Sequence, residues 1–199
     1  NELRILTLVN GEADYKSQSL QLSSAPMLLE GQEKGDYTIY LKPEITLSNI
    51  SFNVTHQDLG KREVFGDLRF RKAMSVAINR EEINEVALFG QGTPKQYTGF
   101  SPMPDFIDKK WESYMIQYDP SMANSLLDQI GMKDTNGDGV RELPNGKKLV
   151  INMQFSTQGI DPQIVEMVGQ NWAEVGIKTT VKEVTPDEYR SAQSSNQLD

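Results

Sequence analysis

Apolar residues recur at helical spacing in several stretches, most of them opened by a capping residue. After Asp67, the positions Phe70, Ala73, Met74, Ala77 and Ile78 form one stripe, and Arg69, Arg71 and Lys72 fall mostly outside it. At Asn79 the pattern restarts, with Glu82 three residues on and Ile83, Val86 and Leu88 running towards Gly90. Asp119-Pro120 and Asp161-Pro162 each place a cap before a proline suited to a first helical position. The first opens a stripe of Met122, Ala123, Leu126, Leu127 and Ile130 that ends at Gly131. The second opens one of Ile164, Val165, Val168, Trp172 and Val175 that ends at Gly176. Thr185-Pro-Asp-Glu188 predicts a further capped helix running on towards Asp199, and residues 1–9 predict a short one stopped at Asn10-Gly11.

Alternation marks the strands. Leu149, Ile151, Met153 and Phe155 precede the Asp161 helix and Ile177, Thr179 and Val181 follow it, a strand-helix-strand unit of the length a parallel crossover needs. Residues 45–55 also alternate, with Ile50, Phe52 and Val54 on one face and Asn49, Ser51 and Asn53 on the other. Such a strand meets either solvent or a polar cleft with its amide and hydroxyl face. Residues 37–41 carry the β-branched and aromatic content of another strand, after a Ser- and Gln-rich stretch broken by Pro26. Between residues 90 and 104, glycines and prolines surround Tyr97 and Phe100 in a long loop of the kind that carries function. The expected class is α/β, a mixed sheet flanked by helices.

Charge and composition narrow the chemistry. With 20 Lys and Arg against 28 Asp and Glu, the 199 residues carry a net charge of −8, so no nucleic-acid partner is expected. Having no cysteine, the chain has no thiol catalysis, no disulfide and no Cys-ligated metal, and His56 is its one histidine. A triad would rest on that single ring, and no nucleophile stands in a recognisable motif near it. No apolar run approaches the roughly 20 residues that span a bilayer. The opening apolar residues read as an element already under way, which predicts an interior segment of a longer protein.

Asp134-Thr-Asn-Gly-Asp-Gly139 sets Asp134, Asn136 and Asp138 at the first, third and fifth positions of an EF-hand-like loop, with Glu142 at the ninth. Position twelve is Asn145 rather than the bidentate glutamate that completes such a site. A Gly- and Asp-rich hairpin is therefore expected, with calcium as a weak alternative. The triplets Asn49-Ile-Ser51 and Asn53-Val-Thr55 have the form of glycosylation acceptors, and chance explains them. Gly90-x-Gly92 follows a helix rather than a strand and reads as a breaker, not a dinucleotide loop.

The stretch FGDLRFRKAMSVAINREEINEVALFGQGTP at residues 65–94 closely resembles a signature of the family-five extracellular solute-binding proteins, receptors of oligopeptide- and dipeptide-type ABC importers. Further landmarks fall in the same order: Asn10-Gly-Glu-Ala-Asp-Tyr15, Phe52-Asn53, Tyr118-Asp-Pro with Leu126, Leu127 and Gly131, the Asp134 loop through Glu142, Asn145-Gly-Lys-Lys-Leu149, and Trp172-Ala-Glu-Val-Gly-Ile177. The resemblance implies one lobe of a type II periplasmic-binding-protein-like fold, with residues 1–199 forming part of a larger two-lobed receptor. It implies a small solute such as an oligopeptide as ligand, ABC permease subunits as partners, an extracytoplasmic place (periplasmic or lipid-anchored), no cofactor and no catalysis. Asn49, Ser51, Asn53, Tyr97 and Phe100 would then border the cleft between the lobes. A sensory input domain built on the same lobe, or an α/β enzyme, would be the alternatives.

Overall fold

The computed structural model describes residues 2–17, 20–41, 49–96, 104–156 and 160–199. They fall into two compact units, residues 1–45 and 46–199. In the first, helix α1 (Glu2–Val9) is followed by a 3-10 turn at Leu22–Ser24 and the short helices α2 (Ala25–Glu30) and α3 (Gln32–Gly35). Pro26 stands in the first turn of α2, where its missing N–H costs nothing. Among the described residues Ile5 and Leu28 are the buried apolar side chains of this unit, and Tyr37 donates its hydroxyl to the Leu28 carbonyl at 2.6 Å. The expected strand at residues 37–41 is not formed. Its hydrogen-bonding groups find no ladder among the described residues, and Tyr40 and Leu41 lie exposed.

The second unit holds α4 (Leu59–Gly66), α5 (Leu68–Val76), α6 (Arg80–Leu88), α7 (Pro120–Gln129), β1 (Val150–Ser156), α8 (Pro162–Glu174), β2 (Lys178–Val184) and α9 (Pro186–Ser194). The crossover is as its spacing predicts: β1 and β2 pair in parallel, Val150 opposite Lys178 through Ser156 opposite Val184, with α8 between them. Ile151, Met153 and Phe155 point from β1 into the core, meeting Ile164, Val165, Val168 and Trp172 of α8. Gly169 lets α8 lie close on the sheet, since a Cβ there would come within 2.9 Å of the Thr179 hydroxyl. Gly176 turns the chain from α8 into β2 at φ +78°, and a Cβ there would also press on Arg141.

Each capping residue expected from the pattern holds a backbone N–H: Asp67 that of Arg69, Asn79 that of Glu82, Asp119 that of Met122, Asp161 that of Gln163 and Thr185 that of Glu188. The α9 cap is a complete capping box. That helix ends at Ser194, short of Asp199, because Asn196 takes a left-handed φ of 58° and turns the tail back. Backbone donors on Asp58, the Arg69 side chain on Asp67, and the Thr185 backbone on Glu188 hold these carboxyls below their ordinary values. A depressed carboxyl contributes stability above its unfolded value and loses it as pH falls through the folded one. Melting temperature is therefore expected to be level from pH 7 to about 5 and to fall below about pH 4, the ordinary carboxyl range. Melts followed by circular dichroism check this, and a temperature unchanged at pH 2 would contradict it.

The strand expected at residues 45–55 is not formed where it is described, and residues 45–48 lie outside the described residues. Residues 49–55 form no ladder among the described residues, and Ile50 and Val54 are 40% and 49% exposed. Of the three alternating apolar residues only Phe52 turns inward, 5.3 Å from Phe65, 5.2 Å from Phe70 and 5.7 Å from Trp172 between ring centres. Alternation alone requires two faces, and here one aromatic anchor meets the core while its apolar neighbours have nothing to pack on. Helix α4 has no predicted counterpart. Asp58 caps it by accepting from Gly60 and Lys61, and it buries Val64 and Phe65.

Candidate functional site

Phe52, held among Phe65, Phe70 and Trp172, positions the polar residues beside it. Asn49 and Ser51 stand exposed. Asn53 behaves differently, because its amide is committed within the chain. It donates to the Asn196 side chain and the Leu198 carbonyl, both at 2.8 Å, and its oxygen accepts from Thr55 N–H and hydroxyl. Asn196 returns a hydrogen bond to the Thr55 carbonyl at 3.1 Å. The 53–55 segment and the tail after α9 are thus laced side by side.

The lacing continues into a charged cluster on the Asp199 carboxylate, whose side chain is 5% exposed. Lys61 pairs with Oδ1 at 2.6 Å and His56 Nε2 lies 3.0 Å from the same oxygen. Oδ2 accepts from the Asn152 backbone and side-chain N–H groups at 2.6 and 2.7 Å. Thr180 of β2 in turn donates to Asn152 of β1. His56 Nδ1 accepts the Asp58 backbone N–H at 2.9 Å, which leaves Nε2 as the protonated nitrogen donating to Asp199. Both ring nitrogens are occupied, and neither touches a hydroxyl among the described residues. The arrangement fastens segments together and orients polar groups; it lacks the nucleophile-base contact of covalent catalysis. Lys61, Asn152 and Asp199 escaped the sequence reading because no local pattern joins residues so distant in the chain. Tyr97 and Phe100 lie outside the described residues.

The Asp134 loop is built as a self-satisfied turn. Asp134 accepts the backbone N–H groups of Asn136, Gly137 and Gly139, and those donors, Gly139 foremost, hold its carboxyl below the ordinary range. Asp138 is bonded to Lys148 at 2.8 Å, the main cause of its own lowered value. Buried Glu142 accepts from Thr135 N–H and hydroxyl and from the Asn136 amide. Carboxylate oxygens of Asp134, Asp138 and Glu142 come within 4.8 Å of one another. Asn145, at position twelve, caps its own turn by accepting from Lys147 N–H. Calcium would have to displace these donors without a closing bidentate ligand. Calorimetric titration is expected to give a dissociation constant weaker than ~10 micromolar, the upper end for sensor EF-hands. Tighter binding would show that Glu142 with carbonyls and water completes the site.

The family described as bacterial extracellular solute-binding proteins, family 5 Middle, matches residues 2–199. The chain belongs to this family. Among curated relatives, this family-5 chain is 34% identical over 118 residues to the periplasmic alpha-galactoside-binding protein of Rhizobium meliloti, covering 55% of the chain and 16% of that protein. It is 29% identical over 190 residues to the glutathione-binding protein GsiB of Pectobacterium atrosepticum, covering 90% and 34%. The solved structure of an oligopeptide-binding protein, OppA, matches at 29% identity and a TM-score of 0.75, over all of this chain and 32% of that one. The family-5 segment therefore spans about a third or less of the proteins it resembles. These relatives are binding proteins, not enzymes, and their fold confirms the α/β lobe expected from the pattern. No helix among the described residues is long and apolar enough to cross a membrane.

Proposed function

We propose that this chain is part of one lobe of an extracytoplasmic receptor that captures an oligopeptide or related small solute between two lobes and delivers it to an ABC permease. The observation that carries the reading is the family match along residues 2–199, joined to the likeness of the whole chain to an oligopeptide-binding protein. Capture of this kind needs no covalent step. Apolar and aromatic walls supply affinity, polar side chains satisfy the solute's own polar groups, and closure buries it from both sides.

In this reading the exposed Asn49 and Ser51 offer amide and hydroxyl groups to the solute, and Tyr97 and Phe100 supply aromatic walls. Asn53, whose amide is already committed, holds the segment in register. The test uses the full-length receptor. Mass spectrometry of co-purifying solute identifies the cargo, and titration of that cargo against Tyr97→Ala and Phe100→Ala measures the site. Each change is expected to weaken binding by roughly 1–3 kcal/mol, the scale of a lost aromatic contact at a recognition site. A receptor that binds no small solute overturns the transport reading; intact binding by both variants overturns the placement of the cleft.

A further inference from the structure

Arg80, the first residue of α6, is a cation whose acceptors are all neutral. Its Nη1 donates to the carbonyls of Ser75 at 2.7 Å and Ile116 at 3.3 Å, and its Nη2 donates to the Ser75 hydroxyl at 2.9 Å. Among the described residues no carboxylate forms an ion pair with it; the pairs there use other cations. Because one residue, Ser75, supplies an acceptor to each terminal nitrogen, those two acceptors belong on the edge between Nη1 and Nη2, which leaves Ile116 to the other proton of Nη1. Nε–H and the second Nη2–H remain, side by side and parallel, with no acceptor among the described residues. That edge has the spacing of a carboxylate's two oxygens, the fork-to-fork pairing that makes arginine a carboxylate receptor.

Among the described residues Nε has no partner, and no side-chain nitrogen without one is fully buried, so Nε reaches solvent. Arg80 lines a recess of about 270 Å³ with Glu81, Pro94, Ser113, Ile116, Gln117 and Tyr118. Burial lowers the guanidinium from its ordinary value. An arginine stays charged in proteins, so the recess presents a partly desolvated positive charge. Such a charge gains more from a bound anion than an exposed one does. The volume takes a terminal group about one residue long, not a whole ligand. Glu81 also lines the recess and repels a dianion such as phosphate more than a singly charged group.

We infer that the free Nε/Nη2 edge of Arg80 and its recess form a binding site for a carboxylate group. This is independent of the transport reading, since it concerns a group held by this chain alone. The test follows the Arg80 Nε–H resonance of the unmodified chain, assigned from its own backbone, during titration with acetate, N-acetyl-L-alanine, N-acetyl-L-alaninamide and sodium chloride at matched ionic strength. Both carboxylates are expected to move it saturably, and the amide and chloride are not. Tighter saturation by N-acetyl-L-alanine identifies a peptide terminus as the preferred source, and equal saturation a free carboxylate. Arg80→Lys keeps the charge and removes the fork, and is expected to weaken saturation at least tenfold, read from the Ser113 and Gln117 amides. A drift that does not saturate, or equal movement by the amide, overturns the inference, and so does a folded Arg80→Lys chain that saturates like the parent.

Discussion

Replacing Trp172 by alanine is expected to destabilise the second unit by about 3–5 kcal/mol, the range for deleting a buried indole. Trp172 is 1% exposed, donates its indole N–H to the Met74 carbonyl at 3.0 Å and stacks on Phe52. Truncation opens a cavity at the meeting point of α5, α8 and the polar segment, and leaves the Met74 carbonyl without that partner. The two costs separate by comparison with Trp172→Phe, which keeps an aromatic ring and loses the N–H; that change is expected to cost about 1–3 kcal/mol, the penalty of one stranded buried acceptor. Urea unfolding followed by far-ultraviolet circular dichroism measures both. A loss under 1 kcal/mol for the alanine variant would mean that the aromatic cluster collapses to fill the gap.

The same cluster shows what sequence could and could not say. The α8 stripe and the flanking alternation predict a parallel crossover, and the structure has it, because burial of one face fixes both period and register. Caps were legible for a similar reason: Asp67, Asn79, Asp119, Asp161 and Thr185 act on donors two or three residues away. Of the strand expected at residues 45–55, the described part departs from its pattern because its fate depends on partners far along the chain. Ile50 and Val54 have the residue types of a strand but lack a ladder, whereas Phe52 finds three rings between 13 and 120 positions away. The Asp199 cluster was illegible altogether, since Lys61 and Asn152 reach it across 138 and 47 residues. The free edge of Arg80 likewise depends on where the Ser75 and Ile116 carbonyls come to rest.

Glu142→Ala is expected to cost about 2–4 kcal/mol, a large effect for a loop residue, and the reason is the number of donors it strands. Two of its acceptor contacts serve Thr135 and one serves the Asn136 amide, each between 2.7 and 2.8 Å. Hydrogen bonds to a charged group contribute about 1.5–3 kcal/mol each, and donors left to reach water recover part of that. Glu142 also bridges Lys133 on one side and Lys148 on the other through antiparallel backbone pairing, so its side chain stands where three short segments meet. Glu142→Gln separates charge from shape. Its amide must turn one N–H towards a donor, either at Thr135 or at Asn136. Flipping the Asn136 amide would relieve the second case, but its oxygen already accepts from Asp138 N–H, so the flip forfeits that bond. Gln is therefore expected to lose about half of what Ala loses, with the amides of Asn136 and Asp138 exchanging hydrogen faster than in the parent. Urea unfolding gives the first quantity and hydrogen exchange the second. Equal stability of the parent and the alanine variant would show that the turn is held by the Asp134 backbone contacts alone, with the buried carboxylate a passenger.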